Sequence, residues 1–97
     1  MTREMHPYTP EELEAVMVEL PDWLSTDFAI HRSYTFPSFR TAIAFVNQVA
    51  NIAEEHNHHP DIEINFRDVS LSLWTSSQSA VTPLDIKLAK AIDALPL

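Results

Sequence analysis

No glycine occurs anywhere in these 97 residues, and that absence constrains the fold and the possible sites more than any residue that is present. Glycine takes up positive φ without steric penalty and lets the backbone come close to a ligand. Phosphate loops and dinucleotide-binding fingerprints depend on both properties, so a conventional ATP, GTP or NAD site is not expected. Every turn has to be built from Pro, Asn, Asp and Ser instead.

Those residues punctuate the chain clearly. Thr9-Pro10-Glu11-Glu12 is a helix start, with Thr9 as N-cap, Pro10 in the first turn and Glu12 closing a capping box. Leu13, Val16, Met17 and Leu20 follow at helical spacing, and Pro21 stops the helix at about Leu20. Asp22-Trp23-Leu24 is a candidate short strand, with Ser25-Thr26-Asp27 as the turn after it. From Phe28 to Phe36 the pattern alternates, placing Phe28, Ile30, Arg32, Tyr34 and Phe36 on one face. Arg32 breaks that apolar row, so its charge has to reach the sheet edge or a partner.

Pro37-Ser38 opens the longest predicted helix, running to about Glu55. Phe39, Ala42, Ile43, Val46, Val49, Ala50 and Ala53 form its stripe, and Phe45 and Ile52 widen it. A face that broad is expected to be core first and subunit contact second. Ile62, Ile64 and Phe66 then alternate with polar residues, Arg67-Asp68 turns the chain, and Val69, Leu71 and Leu73 alternate again, which predicts a hairpin. Thr82-Pro83-Leu84-Asp85 starts a last helix with Leu84, Leu88, Ala91, Ile92 and Leu95 on its buried side. The expectation is one α+β domain over 1–97, in the order α-β-β-α-β-β-α. A four-stranded antiparallel sheet carries three helices on one face, and residues 1–8 form a loose leading segment.

Charge and composition exclude several functions. Six Lys and Arg against fourteen Asp and Glu give a formal net charge of −8. Nucleic-acid binders neutralise phosphates with clustered basic residues, so direct nucleic-acid binding is not expected. There is no cysteine, hence no disulfide, thiolate nucleophile or Cys-based zinc site. No run of about 18 apolar residues exists to cross a membrane. Arg3, Glu4 and His6 are not followed by an apolar segment, so no signal peptide is expected and a cytoplasmic location is.

The run Glu54-Glu55-His56-Asn57-His58-His59-Pro60-Asp61 holds three of the five histidines. Imidazole both gives and takes a proton near neutral pH, so His58-His59-Pro60 with carboxylates nearby forms a candidate acid–base site that needs neither metal nor nucleophile. The bland alternative is a helix C-terminus capped by His and followed by Pro. A metal site from His56, His58, His59 and Asp61 is disfavoured: adjacent side chains point apart, and the spacing matches no standard zinc pattern. His6 and His31 are assigned no role, and Trp23 and Trp74 are read as packing residues.

The ordered set resembles the signature of the pterin-4a-carbinolamine dehydratases. That signature is an acidic residue, three positions, His-His-Pro, an aromatic residue, a third histidine ten positions later, and an aspartate at the start of the last helix. Here Glu54, His58-His59-Pro60, Phe66 and Asp85 stand in those places. Leu20-Pro21-Asp22-Trp23, then Arg32, Tyr34 and Phe36, and the helix through Phe45, Val49 and Glu54 are similar to the family upstream. One position departs: Ser76 stands where the third histidine is expected, and Trp74 cannot replace it, because indole is a donor only.

The resemblance implies dehydration of a 4a-hydroxytetrahydropterin to quinonoid dihydropterin, in tetrahydropterin recycling, with no cofactor and no metal. His58 is expected to be the main proton-transfer group, with His59 lining the pocket and sharing the role. Glu54 is expected to orient His58, Asp85 to support the site, and Ser76 to hold a water, at reduced efficiency. The resemblance also implies a homodimer or homotetramer. The alternative it leaves open is a weakened paralogue acting as a pterin-binding or dimerisation-cofactor module.

Overall fold

The computed structural model describes residues 5–26 and 28–96. Three helices and four strands follow one another as α1 (Pro10–Met17), β1 (Leu24–Ser25), β2 (Ile30–Thr35), α2 (Phe39–His56), β3 (Asp61–Asn65), β4 (Asp68–Leu73) and α3 (Pro83–Asp93). The sheet is antiparallel throughout, in the order β1-β2-β4-β3. This is the predicted α+β arrangement.

Each helix starts where the sequence puts a cap. Thr9, Ser38 and Thr82 are N-caps of reciprocal capping boxes, closed by Glu12, Thr41 and Asp85. Helix α1 ends three residues before the predicted boundary. Glu19 and Leu20 donate their N–H groups to the carbonyls three residues back, Val16 and Met17, so the last turn tightens and Leu20 drops into the core, 1% exposed. Of the leading segment expected to be loose, residues 1–4 lie outside the described residues. Tyr8 packs against the core and donates its N–H to the Val81 carbonyl. Asp27, placed in the first predicted turn, also lies outside the described residues.

The central register pairs Ile30 with Leu73, Arg32 with Leu71 and Tyr34 with Val69. These side chains share the face that carries the helices. Ile30, Tyr34, Val69, Leu71 and Leu73 form one core with Ala42, Phe45 and Val49 of α2 and with Ile86, Leu88, Ala89 and Ile92 of α3. The opposite face is polar, with Ser33 bonded to Ser70, Thr35 to Asp68 and His31 to Ser72, the usual division of an antiparallel sheet with one wet side. The buried stripe of α2 is centred on Ala42, Phe45, Val49 and Ala53, while Phe39 is half exposed and Ala50 exposed. Phe45 is therefore at the centre of that stripe, its ring packed at a tilt against Tyr34 and Phe36.

Arg32 resolves its position in the apolar row by reaching sideways. Its guanidinium lies 4.4 Å from the Tyr34 ring centroid, 2.5 Å from Asp93 Oδ1 and 3.6 Å from Asp22 Oδ2. Asp93 also accepts from the Trp23 indole at 2.9 Å, tying the end of α3 to the β1–β2 side of the sheet.

Without glycine, three turns among the described residues use other residues at positive φ: Asn57 (49°), Phe66 (55°) and Ser79 (49°). Asn is among the residues that tolerate this region, and Asn57 terminates α2. Its N–H bonds to the Ala53 and Glu54 carbonyls, and the next N–H, of His58, bonds back to Ala53.

Candidate active site

The end of α2, the exit from β4 and the start of α3 meet at one edge of the core. The left-handed turn at Asn57 sends two successive imidazoles in different directions. His58 turns inward, its Nε2 lying 2.5 Å from Asp85 Oδ1, with side chains 13% and 0% exposed respectively. His59 turns outward to Glu54, Nε2 to Oε2 at 2.5 Å, and both of those side chains are more than half exposed.

The expected pairing of Glu54 with His58 is therefore not the one formed. A glutamate one helical turn upstream would face the helical continuation, but the chain leaves the helix at Asn57, and Glu54 meets His59 instead. Asp85, expected only as support, is the partner of His58. It occupies the third position of α3, where its carboxylate also accepts the Thr82 N–H at 2.9 Å, and a negative charge is favoured at a helix N-terminus.

Sequence reasoning missed Thr75. It lies two residues past β4, 3% exposed, and its hydroxyl donates to Asp85 Oδ2 at 2.9 Å and meets the Thr82 hydroxyl at 2.7 Å. Thr82 was visible as a cap, but nothing in the local pattern marks Thr75. Only the chain reversal that brings α3 back to β4 gives it a role.

His58 and His59 open onto a cavity whose walls include His56, Asn57, Trp74, Thr75, Ser76, Ser77 and Leu84. Ser76 thus lies in the same cavity as the histidines, at the start of a short 3-10 turn, Ser76–Gln78. Trp74 is half-buried in this wall, braced edge-on by Phe28 at 5.5 Å between ring centroids, whereas Trp23 is a core residue, 3% exposed. His56 Nδ1 bonds to the Ile52 carbonyl at 2.9 Å. Pro60 lies just before β3, outside the cavity wall. Phe66 is exposed at the tip of the β3–β4 turn, remote from the histidines along the strand.

Among the described residues no three His, Cys, Asp or Glu side chains converge to hold a metal ion. A second cavity, between Tyr8, Leu13, Met17, Thr26 and Val81, has one carboxylate, Glu14, and no imidazole in its wall. The first cavity combines a flat aromatic wall, hydroxyls and imidazole–carboxylate pairs. That equipment suits proton transfer to and from a planar, partly polar ligand.

The family model for pterin 4 alpha carbinolamine dehydratase matches residues 6–95. The chain belongs to this family. Curated relatives in the dehydratase family, provisionally named pterin-4-alpha-carbinolamine dehydratase, agree along almost their whole length. One from Mycobacterium leprae is 42% identical over 90% of this chain and 93% of its own. One from Thermomicrobium roseum is 42% identical over 86% and 89%, and one from Nocardia farcinica 41% over 98% of each. A solved structure titled transcriptional coactivator/pterin dehydratase, from Brucella melitensis, superimposes with a TM-score of 0.86. It is 36% identical and covers 92% of this chain and 97% of that one. A pterin dehydratase-like RuBisCO assembly factor shares the fold at a TM-score of 0.61 and 20% identity, over 74% of this chain and 83% of that one. The dehydratase family thus spans both arms of the cavity, from α2 through α3.

Proposed function

We propose that this chain dehydrates 4a-hydroxytetrahydropterins in tetrahydropterin recycling, using imidazole acid–base catalysis. The C4a–O bond breaks and the hydroxyl leaves with a donated proton as water. The N5 proton is lost to a base, and the C4a=N5 double bond of the quinonoid dihydropterin forms. The proton given and the proton taken cancel, so the protein ends each turnover with the number of protons with which it began.

The observation that carries this reading is His58, aimed into the cavity and paired with the fully buried Asp85. When His58 takes a proton, the pair becomes neutral overall, so no unpaired charge is left against the core. His59, held by Glu54 at the rim, lines the site and shares proton transfer. Trp74 offers a face for the bicyclic ring, and Ser76 holds a water beside it. The outer edge of β3 pairs with no strand among the described residues, which suits assembly as a homodimer or homotetramer.

The test is the decay of 4a-hydroxytetrahydrobiopterin, followed by ultraviolet absorbance with and without catalytic amounts of protein. Repeated turnover above the spontaneous rate is expected, and no acceleration overturns the reading.

A second reading is favoured by Ser76, which removes an imidazole from the wall where the family signature has one. In that reading the fold and pterin binding persist while catalysis has weakened, and the chain serves as an interaction module. The Brucella relative carries a coactivator name alongside its dehydratase name. Saturable pterin binding without turnover would select this second reading.

A further inference from the structure

Asp85 is held by more than His58, and the directions of its hydrogen bonds are determined. The Thr75 and Thr82 hydroxyls each have one proton to give. The Thr82 N–H donates to Asp85 Oδ2 at 2.9 Å, and the Thr75 hydroxyl donates to the same oxygen at 2.9 Å. With its proton committed there, Thr75 accepts at 2.7 Å from the Thr82 hydroxyl, whose oxygen in turn receives the Leu84 N–H at 3.3 Å. Thr75, Thr82 and Asp85 are 3%, 0% and 0% exposed, so each polar atom here needs a protein partner.

This chain of donors runs one way and ends on a carboxylate. Oδ2 is filled by two donors, and Oδ1 is left for His58 Nε2 at 2.5 Å. An ionised carboxylate only accepts, so Nε2 carries the hydrogen. The free lone pair of the neutral ring is then at Nδ1. The position of Thr75 is itself fixed: its N–H bonds to the Ala80 carbonyl at the neck of the 75–80 loop, and its β-branched side chain is stiff at χ1.

We infer that Thr75 is a positioning residue that, by holding Asp85 with Oδ1 aimed at His58, fixes the Nε2–H tautomer and makes Nδ1 the nitrogen that exchanges protons with substrate. The catalytic part of this inference rests on the dehydratase reading; the tautomer does not.

The test begins with long-range proton–nitrogen NMR of the His58 ring in the full-length protein without substrate, at a pH where the ring is neutral. The expected result is a protonated Nε2 and an unprotonated Nδ1. A predominant Nδ1–H form in the wild type overturns the inference. Thr75→Val then removes the hydroxyl while keeping the shape, and Thr75→Ser restores it. For the valine variant we expect a mixed tautomer and a kcat lower by about 10- to 100-fold, the loss typical when a group holding a working histidine is removed. KM should change by less than about 3-fold, since the hydroxyl is committed to Asp85 and Thr82. The serine variant is expected to keep both the wild-type tautomer and most of kcat. Equal tautomer and kcat in the valine and serine variants overturn the role of Thr75. Thr75→Ala replaces the valine variant if circular dichroism shows that the latter does not fold. A wild-type protein without turnover would overturn the dehydratase reading and leave the tautomer result standing.

Discussion

Replacing Asp93 by alanine tests whether the polar clamp at the end of α3 stabilises the fold as its geometry implies. Asp93 Oδ1 accepts from the Trp23 indole at 2.9 Å and from Arg32 at 2.5 Å. Trp23 is 3% exposed, so its N–H would be left without a partner, at about 1–3 kcal/mol. Arg32 would lose its closest anion but keep Asp22 at 3.6 Å and the Tyr34 ring face, so its loss is smaller, roughly 1 kcal/mol. Together Asp93→Ala is expected to cost roughly 2–4 kcal/mol, or about 10–30 °C in Tm for a domain of this size. Asp93→Asn keeps a carbonyl oxygen for the indole and should cost only about 1 kcal/mol. The assay is thermal and urea unfolding by circular dichroism, on both variants and on Asp93→Ala in a Trp23→Phe background. In that background there is no indole N–H to orphan, so the cost of Asp93→Ala should fall by about 1–3 kcal/mol. A loss below about 0.5 kcal/mol for Asp93→Ala, or one equal in both backgrounds, would refute the reasoning.

His58→Ala should lower the dehydration rate per folded molecule by about 10²- to 10⁴-fold, and a full rate in that variant sinks the assignment of His58. Ser76→His is expected to raise the rate by about 10- to 10³-fold, checked by the same absorbance decay, and an unchanged rate would mean that position 76 does not face the reacting atoms. Tyr34 has a buried hydroxyl for which no hydrogen-bond partner is found among the described residues, so Tyr34→Phe should leave Tm unchanged or higher. Burial pushes the Tyr34 hydroxyl up to about 12, with Arg32 pulling the other way. The unfolded chain therefore releases this proton first, from about pH 10. Its contribution to stability is complete below that value and is lost as pH rises toward 12. The alkaline fall in Tm should accordingly be shallower in Tyr34→Phe than in the wild type.

The parts of the fold that short-range rules govern were legible in the sequence. The capping boxes at Thr9 and Thr82 and the alternation in β2 and β4 are local patterns that form where the residues ask for them, while the turn between β3 and β4 comes one residue earlier than expected, at Phe66-Arg67. The two imidazoles and both carboxylates of the candidate site were legible as residue types. Their pairing was not. It depends on the sign of φ at Asn57, which swaps the partner that helical spacing would give His58. The roles of Thr75, Asp93 and Asp22 were also hidden, because each meets a partner on another element that no helical or strand period relates to it. The charge of Arg32 signalled that a partner was needed, but not which one.

The turn at Asn57 also gives two adjacent histidines unequal mutational futures. His58 answers to a carboxylate sealed among hydroxyls and α3, so most replacements there would strand a buried anion and strain the fold along with the chemistry. His59 answers to a glutamate in open water, and its replacement leaves both free to be solvated. In a saturation library scored for abundance alone, position 58 should tolerate few residues and position 59 many. The doublet written His-His is therefore one structural constraint and one open position, and only a screen for turnover would make the second resemble the first.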